Sequence, residues 1–370
     1  MSGLKAGNNS VYMKRRKGEN MRKDKFIAAG LSLLMTAAFA LTGCGGTGGP
    51  GESRGADEAK TYKVAIVQYV DDASLNQIES NIEAELDAKG EELGVVFDYE
   101  GYTFNGQADS ATMDQIAAEL IADQVDVIIP IATPAALAMQ SATADHPIPV
   151  VFAAISDPVG AGVVDSMEAP GANITGVSDA LDTEAVLNLM LASNPDVKKV
   201  GLLYDKSQDA STAAIAAAKE FLDGKSIDYV EKTGTTDDEV SLAADALIAE
   251  KVDAVFTPTD NTIMTAELAI YGKFIKARIP HYAGADSFAL NGAFCGYGVN
   301  YQDVGRETAD MAADVLVKGA DPASTPVKTL NNGIATINTE TAEAIGADYS
   351  AFADMCEEVI ETVTRQEFDD

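Results

Sequence analysis

Five short runs of apolar, β-branched residues punctuate the chain: YKVAIVQYV (62–70), VDVIIPIA (125–132), IPVVFAAI (148–155), KKVGLLYD (198–205) and VDAVFTPT (252–259). None alternates polar with apolar positions. A strand that reads this way is covered on both faces, which predicts parallel sheets with helices on either side. Amphipathic stretches fall between the runs, among them ATMDQIAAELIADQ (111–124), STAAIAAAKEFLDGK (211–225) and DDEVSLAADALIAEK (237–251). The fold class is therefore α/β, doubly wound. From Thr61 onward there are roughly 310 residues, more than one hydrophobic core usually serves, so two Rossmann-like lobes are expected. An internal echo agrees. QVDVIIPIATPAALA from Gln124 aligns without gaps on KVDAVFTPTDNTIMT from Lys251, and YKVAIVQY from Tyr62 aligns on KKVGLLYD from Lys198.

The N-terminal region has a different character. The run FIAAGLSLLMTAAFAL (26–41) follows the basic cluster MRKDK (21–25), the layout of a signal peptide over 1–43 with its start at Met21. At sixteen residues it is short for a bilayer span. LTGC, Leu41 to Cys44, resembles the lipobox of bacterial lipoproteins, which implies that the Cys44 sulfur carries a diacylglyceryl group. Residues 45–60, GGTGGPGESRGADEAK, have the composition of a flexible tether behind that lipidated cysteine. The expected location is the cell membrane, lipid-anchored on the extracytoplasmic side, with the lipid as the sole membrane contact.

Formal net charge is −32, and 8 of the 26 Lys and Arg residues lie before Cys44. So acidic a globular part repels phosphate backbones, which argues against nucleic acid as a partner. No G-x-S-x-G, Walker loop or Cys-x-x-Cys is present, and PVGAGVVD (158–165) lacks the third glycine of a dinucleotide fingerprint. His146 and His281 are read as surface and structural residues. With two His and three Cys no metal site is expected, and no cofactor. Cys295 and Cys356 are read as free thiols, with pairing as the alternative. The chain is not expected to be an enzyme.

An exported, tethered pair of α/β lobes is the plan of a solute-binding protein, in which ligand sits between the carboxyl ends of two sheets and the lobes close about a hinge. Specific stretches extend the likeness. PVVFAAISDPVGAGVV with PGANITGVSD (149–179), and VFTPTDNTIMTA (255–266), are similar to the substrate-binding family of ABC transporters that includes tryptophan- and tyrosine-importer lipoproteins. That resemblance implies a type I periplasmic-binding-protein fold with three crossings between lobes. It places lobe 1 at 61–175 plus about 291–320, and lobe 2 at 176–290 plus about 321–370. It also implies ABC permease and ATPase subunits as partners and a small-molecule ligand, an aromatic amino acid first. A nucleoside or organic acid is the alternative within binding proteins; an adhesin or sensor is the alternative outside them. The segment YVDDASLNQIE after the first strand departs from the family pattern.

The loops that follow the predicted strands supply candidate ligand contacts. Thr133, Ala135 and Ser156 suit a carboxylate, since helix N-terminal amides and hydroxyls favour anions. Asp260 is the first candidate for an ammonium and Asp286 the second, with Asp157 and Asn261 in the same loops. With no tryptophan in the chain, Tyr69, Tyr204, Tyr297 and Tyr301 are the candidates for aromatic walls. Capping explains each of these polar residues equally well when taken singly.

Overall fold

β1 (Thr61–Gln68) is buried along both faces from Val64 onward, as its unbroken apolar sequence requires. The computed structural model describes residues 59–365; the expected signal peptide, Cys44 and nearly all of the tether lie outside the described residues. After β1 come α1 (Ala73–Leu93), β2 (Val96–Asp98), β3 (Thr103–Asn105), α2 (Ser110–Ala122), β4 (Val127–Ile131), α3 (Thr133–Thr143), β5 (Val150–Ala153) and β6 (Ile174–Ser178). β4, β5 and β6 extend the sheet on one side of β1, β2 and β3 on the other, and every pairing is parallel.

The chain then enters a second sheet through α4 (Thr183–Ser193), β7 (Lys199–Tyr204), α5 (Asp209–Lys225), β8 (Asp228–Thr233), α6 (Asp237–Ala249), β9 (Ala254–Thr257), α7 (Asn261–Ala277), β10 (His281–Ala283), α8 (Asp286–Leu290) and β11 (Cys295–Gly298). It returns to the first lobe as α9 (Tyr301–Ala313) and β12 (Lys328–Thr329), then finishes in the second with β13 (Ile334–Asn338), α10 (Thr339–Ile345) and β14 (Glu358–Thr362). The second sheet has the order β14-β13-β11-β10-β9-β7-β8, parallel except where β13 runs against β11. The changes of sheet fall at 179–182, 299–300 and 330–333, each later in the chain than the sequence reading placed it. No helix among the described residues is long and apolar enough to cross a membrane.

Both faces of each sheet are covered. In lobe 1, Ala65, Val67, Ile128 and Phe152 pack on one side, while Val64, Ile66 and Ile129 meet Ile78 and Ile82 of α1 on the other. α9 lies so close to α1 that a Cβ on Gly305 would sit 2.6 Å from the Ile78 carbonyl oxygen. Only glycine permits that approach. In lobe 2, Val200, Leu202, Phe256, Tyr282 and Phe294 form the counterpart core.

The echo in the sequence is an echo in space. Asp126 accepts the Lys63 amide at 2.7 Å and Asp253 accepts the Lys199 amide at 2.9 Å, so each lobe fastens the start of its first strand in the same way. The two lysine ammonium groups also correspond, Lys63 donating to the Asp123 carbonyl at 2.7 Å and Lys199 to that of Glu250 at 3.0 Å. Gln124 and Lys251, one residue after those carbonyls, both adopt left-handed backbone, with φ of 51 and 57.

At the crossings, Asn332 joins two of the three connecting segments. Its amide donates to the Ala180 carbonyl at 2.6 Å, and its carbonyl accepts the Asp182 amide at 3.2 Å.

Candidate functional site

Five helix N-termini converge between the lobes, because each follows a strand that ends at the cleft. Those of α1, α3 and α9 belong to lobe 1, those of α5 and α7 to lobe 2. They are not equivalent. Asp72 caps α1, accepting the Ser74 amide, and Asp260 caps α7, accepting the amides of Thr262 and Ile263. α3 and α5 have no side-chain cap. First-turn amides of a helix have no intrahelical partner, so these two ends keep their donors and the positive end of their dipole available. The residue before α3, Ala132, holds φ 78 and ψ 154, and Ala154 at the end of β5 holds φ 56. Left-handed backbone at two alanines costs on the order of 1 kcal/mol each and clusters where a site dictates geometry.

The cavity at this meeting point is lined from lobe 1 by Ser74, Leu75, Ala132, Thr133, Ala154 and Ser156, by Asp179 at the crossing and Tyr301 at the start of α9, and from lobe 2 by Ala210, Thr259, Asn261 and Met264. Its volume is about 10 Å³, room for about one water. Among the lining residues there is no Lys, Arg or His.

The cavity's one charged lining residue is Asp179, and two more aspartates, Asp72 and Asp286, lie close by. Ser156 Oγ donates to Asp179 at 3.0 Å, and burial pushes the Asp179 carboxyl up to about 6 against that bond. Asp72 rises to about 7, through burial first and the neighbouring Asp286 charge second. Asp286 is raised by burial and opposed by donors from the other lobe: Ser74 Oγ, and Gln77 Nε2 at 3.0 Å. Tyr301 stands amid all three carboxylates and its hydroxyl is pushed far up, by burial and then by Asp179, Asp286 and Asp72. No ion pair among the described residues reaches these three aspartates.

The residues singled out from the sequence divide into groups. Thr133, Ser156, Asn261 and Tyr301 line the cavity. Ala135 is buried in the first turn of α3, beneath the lining, and Asp157 lies at an adjoining chamber. Asp260 is wholly buried and serves its own lobe: besides capping α7 it accepts the Asp205 amide at 2.8 Å and Ser211 Oγ at 2.6 Å. Burial nonetheless raises it to about 6. Asp286 bridges the lobes beside the cavity. Tyr69 sits at the rim, hydrogen-bonded to Gln208 of lobe 2, and Gln208 accepts from Asn261 at 3.1 Å. Tyr204 donates to Glu231 at 2.6 Å, and Tyr297 is packed in the lobe 2 core. Burial pushes both hydroxyls up to about 12.

Asp179, Ser74, Asp72 and Met264 were not singled out. Asp179 carried the same signal as Asp260, a polar residue directly after a buried strand, but β6 reads ITGVS and lacks the run of β-branched residues that marks the other strands. Asp72 and Ser74 lie in the segment that departs from the family pattern.

A pair of doubly wound lobes on three crossings, closing a cavity between the carboxyl ends of their sheets, is the type I periplasmic-binding architecture. Comparison with known proteins makes the class specific: residues 63–352 match the ABC transporter substrate binding protein family, and the chain belongs to it. Its members bind solutes and are not enzymes; membership implies a small-molecule ligand and permease and ATPase partners. The chain is 31% identical over 323 residues to a tyrosine-binding protein of Clostridioides difficile, covering 85% of this chain and 91% of that one. Among solved structures, it resembles a Streptococcus pneumonia ABC domain in complex with L-Trp, at 30% identity and TM-score 0.75, over 81% of this chain and all of the other. The ligand-free, open structure of a Clostridium difficile substrate-binding protein with adhesive properties gives 30% identity and TM-score 0.63, over 82% and 100%. At equal identity the likeness is greater to the liganded structure, in keeping with the small cavity and the bonds between lobes described above.

Proposed function

We propose that this protein is the lipid-anchored receptor of an ABC importer and that its ligand is an aromatic amino acid held between the lobes. The observation that carries the reading is the pairing of Asp179, a buried carboxylate without an ion-pair partner among the described residues, with the uncapped N-terminus of α3 across the same cavity. A carboxylate in such a place calls for a cation, and an open helix N-terminus calls for an anion. A zwitterion supplies both, whereas an organic acid or a nucleoside leaves Asp179 uncompensated. Leu75, Met264 and Tyr301 offer the apolar surface for a side chain once the lobes part, since the closed cavity has room for about one water. That relatives are described as bound to tryptophan or as tyrosine-binding supports an aromatic one.

Calorimetry with tryptophan, tyrosine and phenylalanine tests the reading, together with Asp179→Asn. The substitution leaves an ammonium facing a neutral amide, at a cost of about 2 to 5 kcal/mol, or roughly 30-fold to several-thousand-fold in affinity. Unchanged affinity in the variant, or no binding of any of the three by the wild type, would refute it.

The sequence LTGC supports acylation of Cys44 after removal of the signal peptide, and the glycine-rich residues 45–60 a tether that leaves the lobes free to close. Cys44→Ser should then be found in the soluble fraction with its ligand affinity intact; sedimentation with membranes after a high-salt wash would count against the anchor. A second role in adhesion is favoured by the relative with adhesive properties. Loss of cell attachment in a deletion strain, restored by an Asp179→Asn protein that cannot bind ligand, would separate it from transport.

A further inference from the structure

Beside the closed cavity lies a larger chamber of about 450 Å³ that shares Ser156, Ala210 and Thr259 with it. The outer face of α5 forms its floor with the methyl groups of Ala210, Ala213, Ala214 and Ala217, and Leu181 adds an apolar side. Asp157, Asp182 and Glu184 complete the lining, which contains no Lys, Arg or His. One further feature points to a ligand: Thr183, itself 4% exposed, is among the lining residues, and its buried hydroxyl has no hydrogen-bond partner among the described residues.

We propose that this chamber is a second binding site, for amines that carry a flat apolar body and no carboxylate. A methyl floor takes an aromatic or aliphatic body by area burial. Three carboxylates attract an ammonium. The same three repel an acid: of the two helix ends at the chamber, that of α4 is capped by Asp182 and carries Glu184 in its first turn, while the open end of α5 meets it only at Ala210, on the margin shared with the cavity. The two sites therefore divide ligands by chemistry. The closed cavity pairs a carboxylate with an open helix end and suits zwitterions; the chamber suits bare amines. This inference does not rest on what the cavity binds.

Tryptamine is a suitable probe, because the chain has no tryptophan and indole fluorescence reports the ligand alone. Its anisotropy on titration with full-length protein should show saturable binding. Ala214→Phe fills the chamber without touching the cavity lining and should abolish that binding, with melting curves confirming the fold. Asp157→Asn with Glu184→Gln should weaken it about tenfold, the effect of losing two exposed ion pairs. Asp179→Asn, outside the chamber, should leave it unchanged. Absence of saturable binding, retention in Ala214→Phe, or loss in Asp179→Asn would each overturn the proposal, the last by moving the amine into the cavity.

Discussion

Ser74 and Asp286 stand 212 residues apart in the chain, in different lobes, and the serine hydroxyl donates to the aspartate across the cleft. Gln77 adds a second donor to the same carboxylate at 3.0 Å, and Ser74 in turn accepts the Ser287 amide at 3.2 Å. The carboxylate is thus a latch between lobes. Asp286→Ala removes it. We expect the ligand-free variant to sample open conformations, with a larger radius of gyration in solution scattering than the wild type and weaker binding of any cleft ligand. Equal radii would show that these bonds do not hold the closed state.

Asp260 and Asp179 should separate cleanly. Asp260→Ala deprives Thr262, Ile263, Asp205 and Ser211 of their acceptor, a loss of about 2 to 4 kcal/mol of stability. Cleft affinity in the material that remains folded should be near wild type. Asp179→Asn should show the reverse. Thermal melts alongside calorimetry would decide the matter, and a large affinity loss in Asp260→Ala without destabilisation would reverse the two assignments.

Acid should strengthen the ligand-free fold. Asp72, Asp179 and Asp260 have carboxyls at about 7, 6 and 6, all raised chiefly by burial above the unfolded value near 4. Between those limits the native state binds more protons than the unfolded state, so stability falls as pH rises. These groups contribute fully below about pH 4 and the contribution is lost as pH passes 6 to 7. Melting temperature without ligand should be higher at pH 5 than at pH 8. If an ammonium docks at Asp179 it favours the ionised carboxyl and expels a proton. Calorimetry near pH 6 in buffers of different ionisation enthalpy should then give different heats, and identical heats would argue against an ionic contact there.

Two alanines in left-handed backbone invite a simple substitution. Ala154→Gly relieves the strain at φ 56, and the stability gain should be about 1 kcal/mol less whatever the added freedom of the unfolded chain costs. A destabilised Ala154→Gly in denaturant titration would show that its methyl packing outweighs the strain.

Asn332 ties two crossing segments through Ala180 and Asp182. Asn332→Ala should speed amide exchange at 180–183 while leaving β1 and β7 protected. Unaltered exchange would mean the hinge keeps its shape without it.

The parts of this fold that could be read in advance are those where burial alone dictates the residue. β1, β4, β5, β7 and β9 coincide with the five apolar runs, because a strand covered on both faces has no freedom to be polar. β6, β11 and β13 were not singled out: CGYG and ITGVS owe their strand state to neighbours already in place, and β13 pairs with β11 across an excursion through the other lobe. The candidate site divides similarly. Sequence could indicate that Thr133, Ser156 and Asp260 follow strand ends, but not which carboxylate is satisfied by its own lobe. That depends on where Ser211 and the Asp205 amide lie, which is a matter of tertiary packing.

The twin fastenings at Lys63 and Lys199 have a mechanical consequence. Each lobe secures the start of its first strand with its own aspartate and its own left-handed corner, so the two fastenings are independent of each other. The plates are stiff and the pin is compliant. Work done by a ligand in drawing the lobes together is then spent on a few bonds at the seam and on rotation at three short connectors. A membrane partner touching both outer faces would read occupancy as one distance between two rigid bodies.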